Sequence, residues 1–410
     1  MKTRYSIMFF LLLSLTAAGK NIIYDPQVKS LQAVVNHNWQ SLPVMKLDSD
    51  DRLDVGFDEL SHDYHRYVLH IERCEADWTP SEDLFESDWL TGFNNNVIDD
   101  YEHSINTTVP YTHYSFTLPN SQCRLKMSGN YRLHVLEDGY GDDIPTVDIM
   151  VTEQSMQLSM AVTTNTDIDT NDRHQQLTMV VSYRNIQVIR PEEQIQTVVM
   201  QNGREDNWRR NVAPTFITNN GLEWSHAREL IFEAGNEFHK YEVLDPSHPT
   251  MGIDYIRWDG EYYQVFPFLS EPRNNYIYDE DADGDFIIRN SDNRENDTAS
   301  DYVLVNYRLK ADVPPRGKIV IDGRWTTDCN TDTYRMDYDA DEDLFKASIL
   351  QKQGYYSYQY LWEDENGTRR VLPSEGNFYQ TENRYQALIY YKETGGRSWR
   401  LAAYGQITLH

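Results

Sequence analysis

The stretch "GYYSYQYLWE", residues 354–363, places Tyr356, Tyr358, Tyr360 and Trp362 at every second position. A β-strand turns successive side chains to opposite faces, so a strand here lines one face with four large rings. The same period of two recurs along the chain. "YRLHVLEDGYGD" sets Tyr131, Leu133 and Val135 against Arg132 and His134 before a Gly/Asp turn. "DYVLVNYRL" puts Val303, Val305, Tyr307 and Leu309 on one face. "ALIYYKETGGRSWRLAAYG" reads as a hairpin whose Gly395-Gly396 supplies the positive-φ turn. Many short strands with frequent turn signals predict an all-β chain of antiparallel, immunoglobulin-like β-sandwiches rather than parallel α/β units. The 29 Tyr, 14 Phe and 9 Trp among 410 residues suit half-buried pleated surfaces.

Helical signals are few. In "DWTPSEDLFESDWL", Thr79 can act as N-cap, Pro80 fits the first turn, and Glu82 completes a capping box, with Leu84 and Phe85 as the apolar side. A chain of this length exceeds a single core. One alternating run ends and another begins near residue 152, and Pro314-Pro315, which cannot continue a ladder, marks a second junction. Three consecutive β domains are expected, at 20–152, 153–311 and 312–410.

Residues 1–19 read as an export leader rather than as part of the fold. Lys2 and Arg4 form a positive start, Ile7 to Leu15 an apolar stretch, and Thr16-Ala17-Ala18-Gly19 a small-residue cleavage site. The apolar run is too short to span a bilayer, and no Cys stands at the cleavage site to carry a lipid. An exported protein, cleaved near Gly19 and not inserted in the membrane, is expected outside the cytoplasm. Losing Lys2 and Arg4 leaves 35 basic against 65 acidic residues, a net −30. Such a surface repels phosphate backbones and anionic lipid, which argues against nucleic acid and peripheral membrane binding. Three cysteines do not make a disulfide scaffold. An oxidising compartment would permit a Cys74–Cys123 bridge, although buried free thiols are the commoner case.

Candidate chemistry is sparse. Asp279, Asp281, Asp283 and Gly284 have the opening spacing of a calcium loop. Asn290 stands where the bidentate Glu belongs and no helices flank the run, so a turn between strands is preferred. His70 and Cys74, preceded by His62 and His65, lack the second ligand pair that zinc requires. No nucleophile elbow, metalloprotease spacing or paired Cys and His is present, and a carboxylate pair chosen from 65 acids would be arbitrary. The expectation is a non-enzymatic protein without cofactor.

Several phrases then form a pattern: "NHNWQSLPVMKLDSDDRLDVGFDEL", "THYSFTLPN", "SGNYRLHVLED", "QNGR", "GNEFHKYE", "KQGYYSYQY" and "EGNFYQTENRYQALIYY". In this order, from about Ile22 to the C-terminus, they resemble the running motifs of the type IX secretion plug proteins. The resemblance implies a periplasmic, all-β, non-enzymatic protein that closes the periplasmic mouth of a large outer-membrane translocon barrel when no substrate is passing. The chain departs from the family at Arg73-Cys74-Glu75, where His-Cys-Asp is expected. It departs again at Asp281-Ala282-Asp283-Gly284, where Asp-x-Asn-Gly is expected. The family defines no catalytic residues.

Residues 316–410 also resemble, more weakly, early-set immunoglobulin-like domains that bind α-glucans. That likeness implies an alternative, a periplasmic or surface glycan-binding protein stacking sugar on Trp325, Tyr356, Tyr358, Tyr360 or Trp362. Burying rings of this size stabilises by roughly 1.5–3 kcal/mol each, which favours an inward-facing strand.

Overall fold

The computed structural model describes residues 19–139, 141–184, 186–312 and 316–409. The expected leader up to Ala18 and the Pro314-Pro315 junction lie outside the described residues. The fold is all-β with sandwich-like units, as the alternating runs predict. Among the described residues, the α-helices are single turns at Glu86–Trp89, Pro191–Gln194 and Asn296–Ala299.

The helix expected from Thr79 starts later. Thr79 Oγ1 donates to Asp77 Oδ1 at 2.6 Å instead of capping a turn. The Glu75 N–H donates to the Thr79 carbonyl at 2.7 Å, and the Ser81 N–H to the Arg73 carbonyl at 2.8 Å. Pairing with the end of the strand Tyr67–Cys74 thus outcompetes the local capping pattern. The turn of helix forms only after Phe85, whose N–H donates to the Asp88 carboxylate at 3.1 Å.

The first unit packs two sheets face to face. One holds Val28–Val35, Leu53–Glu59, Thr112–Leu118 and Asp100–His103; the other is built on Tyr67–Cys74, Gly129–Glu137 and Asp143–Thr152. Phe57, Tyr114, Tyr131, Leu133, Val135 and Ile149 fill the space between, and this core ends at Val151.

Beyond residue 152 the hydrophobic cores do not follow the expected boundaries at 153–311 and 312–410. The second core joins Leu177, Met179, Trp224 and Phe232 to Tyr385, Ile389 and Ala403 from the C-terminal hairpin. The third joins Tyr241, Val303, Val305, Tyr307 and Leu309 to Ile319, Ile321 and the aromatic strand Gly354–Glu363. The physical reason is pairing. The strand Arg384–Tyr391 lies antiparallel to Ile195–Gln201, from Ile195↔Tyr391 to Gln201↔Tyr385, and this carries its apolar face back to the middle of the chain.

The units are also joined through their sheets. Thr152 pairs in parallel with Leu401, so strands of the first and second units run on as one ten-stranded sheet. Trp78, Met150, Met200, Leu388, Tyr390 and Leu401 form a further apolar cluster across that seam.

Candidate functional site

The aromatic strand is an inner wall. Tyr356, Tyr358 and Tyr360 are exposed by 3%, 3% and 0%, and Trp325 by 7%. Tyr356 stacks on Tyr241 with ring centroids 5.5 Å apart, and Trp325 meets Tyr356 edge-on at 5.7 Å. Trp362 is half-buried against the same core. The opposite face of the strand is covered too. Ser357, Gln359 and Leu361 are buried, the Trp325 indole N–H donates to the Ser357 carbonyl at 3.0 Å, and the Gly284 N–H donates to Ser357 Oγ at 3.1 Å. The rings named for a glycan platform therefore do not form an exposed flat surface.

The Asp-rich run is a clamp between units. Asp279 is exposed and pairs with Lys240 at 2.5 Å. Asp281 accepts the N–H groups of Phe238 and Asp283. Asp283 pairs with Arg384 at 2.9 Å, and Asp285 binds both Arg384 at 2.8 Å and Arg324 at 2.7 Å. Each arginine then reaches the first unit: Arg384 donates to the Gln40 carbonyl and Arg324 to the Ser41 carbonyl. The second unit supplies Arg384, the third supplies the loop and Arg324, and all three meet here. Burial pushes the carboxyls of Asp281 and Asp283 up, that of Asp283 to about 7 although Arg384 opposes it. The charges that meet Asp283 and Asp285 are guanidinium groups of this chain. Among the described residues, no group of three or more His, Cys, Asp or Glu is arranged to hold a metal ion.

A second buried cluster ties the first unit to the third. Lys352, 1% exposed, donates to Asp58 Oδ2 at 2.6 Å and to the Asp297 carbonyl at 2.6 Å, with its ammonium 4.1 Å from the centre of the Tyr111 ring. His113 Nδ1 lies 2.7 Å from the other Asp58 oxygen, and the Tyr302 hydroxyl donates to Asp58 at 2.7 Å. Burial raises the Asp58 carboxyl, but Lys352 and His113 outweigh it and hold the group below the usual carboxylate range. Lys, His and Asp in contact suggest catalysis on paper. Here the Lys352 and Tyr302 contacts to Asp58 join the third unit to the first, whereas His113 holds Asp58 from within the first unit.

The remaining sequence candidates separate. Cys74, Cys123 and Cys329 are free thiols, the first two buried and the third exposed. His70 lies 2.9 Å from Asn95 Oδ1, and His65 is held between Glu59 and Glu137. Sequence reasoning missed Arg324, Arg384, Asp58 and Lys352, since no local spacing signals a partner 99 or 294 residues away.

Two surface features stand out. A cleft of ≈ 730 Å³ opens between the three units, bounded by Trp78, Trp208, Glu205 and Asp322 and reached by Gly19 and Lys20. On the third unit, Ile253–Trp258 is an end strand of its sheet and exposes Tyr255 and Trp258, with Phe268 exposed just beyond its partner strand. Tyr255 stacks on Phe266 at 4.3 Å, and the Arg308 guanidinium lies over both rings.

Residues 28–153 match the model of the type 9 secretion system plug protein 1st domain, which coincides with the first unit. A hypothetical protein of known structure from Parabacteroides merdae ATCC 43184 is 33% identical, with a TM-score of 0.92 over 96% of this chain and 100% of that one. The C-terminal domain of the Streptococcus pyogenes antigen I/II-family protein AspA aligns at 6% identity with a TM-score of 0.18, too distant to bear on the fold. No curated protein matches the chain.

Proposed function

This chain belongs to the type 9 secretion system plug protein family, and on that footing we propose that it is a non-enzymatic, periplasmic component of the type IX secretion system that closes the periplasmic opening of the outer-membrane translocon barrel. The observation that carries this reading is the family match across the first unit. The structure supports it in a second way. A plug must seat and leave as one body, and the three units are clamped together through Asp285 and through Asp58. Reversible closure asks for a modest, largely polar interface. It asks for no catalytic constellation, and the Lys352–Asp58 pair ties the third unit to the first. No helix among the described residues is long and apolar enough to cross a membrane. The leader reading of residues 1–19 supplies the route to the periplasm.

The test is capture of the tagged, processed protein from detergent-solubilised outer membranes of its own host, read by mass spectrometry. Recovery of a very large barrel protein, lost when a secretion substrate occupies the barrel, is the expected result. If no barrel is recovered at any salt concentration, the plug role fails. A triple variant, Tyr255→Ala, Trp258→Ala and Phe268→Ala, asks in the same assay whether the exposed rings of the third unit contribute.

A further inference from the structure

The start of the described chain is tied down at the cleft between the units. Ile22 and Ile23 pair with the strand Asp143–Thr152, with Ile22 opposite Thr146. The Asp148 N–H donates to Asn21 Oδ1 at 3.2 Å, which leaves Lys20 beside the Asp148 carboxylate at the rim of the cleft. Gly19 then lies against Trp78, so closely that an added Cβ would fall 2.3 Å from the indole Cζ2. Gly19 and Lys20 both line the cleft.

The charges around that cleft do not balance: six carboxylates face four cations. Arg204 is taken by Asp206 at 2.6 Å, Arg369 by Glu363 at 2.8 Å, and Arg324 by Asp285. Asp148 has Arg132 at 2.7 Å, and Asp283 has Arg384. Asp322 accepts from Gln359 Nε2 at 3.0 Å and lies 3.8 Å from Arg369, which leaves Glu205. Its Oε1 is buried with no hydrogen-bond partner. Burial pushes this carboxyl up to about 7, and Lys20 is the cation that most opposes the rise. A buried carboxylate oxygen without a donor is destabilising, so a site of this kind wants a cation that brings its own N–H groups.

We propose that the cleft is the seat of an N-terminal ammonium: the α-amino group that leader removal exposes at Gly19 or Lys20 pairs with the carboxylates of Glu205 and Asp148. At the same point an uncut chain offers a neutral amide with a single N–H. A free terminus offers a positive charge and three donors. Processing thereby completes the junction at which the three units meet, and the processed chain is the more stable form. The inference rests on the reading of the N-terminal stretch as a leader cleaved near Gly19.

The experiment compares two full-length mature chains released from a cleavable fusion, one beginning at Gly19 with a free amine and one carrying an extra Gly-Ser-Gly before it. Each is also made with Glu205→Gln. The free-amine chain is expected to melt about 3 °C or more above the extended one, and E205Q to erase most of that difference while barely moving the extended chain. Equal melting of the two chains, or an E205Q effect of the same size in both, overturns the proposal. Mass measurement of the N-terminal peptide of the exported protein checks the premise separately. Cleavage well away from Gly19 overturns the proposal through that premise, whereas equal melting overturns it with the premise intact. Rescue of the extended chain by a free small amine, with no gain from its own terminus, would likewise overturn it in favour of an external ligand.

Discussion

Replacing Lys352 by Met tests how the first and third units are held together. The substitution keeps an unbranched apolar stem but removes the ammonium that binds Asp58 and the Asp297 carbonyl, each at 2.6 Å. Asp58 and Lys352 are 0% and 1% exposed, so the pair is held out of bulk water. Removing one member of such a pair costs about 3–5 kcal/mol. Asp58 retains His113 and the Tyr302 hydroxyl, which places the expected loss near the lower end, about 3 kcal/mol. At about 2–4 °C per kcal/mol for units of this size, the melting temperature falls by roughly 6–12 °C in calorimetry. The folded Asp58 carboxyl sits below its usual range. Its stabilisation is therefore present above the unfolded value, about 3.9, and is lost as pH falls through the lower folded value. The gap between wild type and K352M should accordingly narrow in acid. Adding Asp58→Asn to K352M removes the unpaired charge and should recover at least half of the loss. A K352M protein melting within 1–2 °C of wild type at pH 7 would refute this account of the pair.

Arg384→Met removes the contacts with Asp283, Asp285 and the Gln40 carbonyl; the expected result is a loss of about 3–5 kcal/mol and a melting curve that splits as the units separate, read by calorimetry. His134 lies 2.8 Å from Asp143 and 3.5 Å from Glu72, and although burial opposes it, these carboxylates raise its pKa to about 9. Its stabilisation is fully present below the unfolded value of about 6.5 and is lost as pH rises through about 9. Denaturation of wild type and His134→Gln across pH 6–10 should show a difference of about 1–2 kcal/mol that vanishes at the alkaline end. A maleimide should label one thiol, Cys329, in the native protein and all three in denaturant, because burial raises the Cys74 thiol to about 12 and raises Cys123 as well.

What was legible in the sequence is what a strand records in its own residues. Tyr131, Leu133 and Val135, or Val303, Val305, Tyr307 and Leu309, announce both the strand and its buried face, because burial on one side imposes a period of two. The C-terminal hairpin and its Gly395 turn were legible for the same reason: everything that forms them lies within Arg384–Thr408. Which core the hairpin joins was not. That is decided by backbone pairing between Arg384–Tyr391 and Ile195–Gln201, and any apolar strand of suitable length offers similar hydrogen bonds. The helix expected at Thr79 failed in the same way, when a local capping signal met a non-local strand edge.

The Asp-rich run shows the limit most directly. Alternating aspartates beside Gly284 bring carboxylates close together in a tight turn, whether the charge that answers them is calcium or guanidinium. The run itself contains no information about which will arrive. Here Arg324 and Arg384 arrive, from 39 and 99 residues away along the chain, and the loop becomes a joint instead of a metal site. The same reasoning explains why a family could be read from the sequence when residue chemistry pointed to no role. A protein that works by seating a surface needs no cluster of reactive groups within one short stretch. Its signature is spread over turns and strand ends whose order along the chain is specific although no single phrase is. Its strongest local chemistry, the buried charges at Asp58 and Asp285, serves to make one body out of three units. Substitutions at those charges should therefore impair docking only to the extent that they loosen the body, whereas substitutions on the docking face should impair it with the melting temperature unchanged.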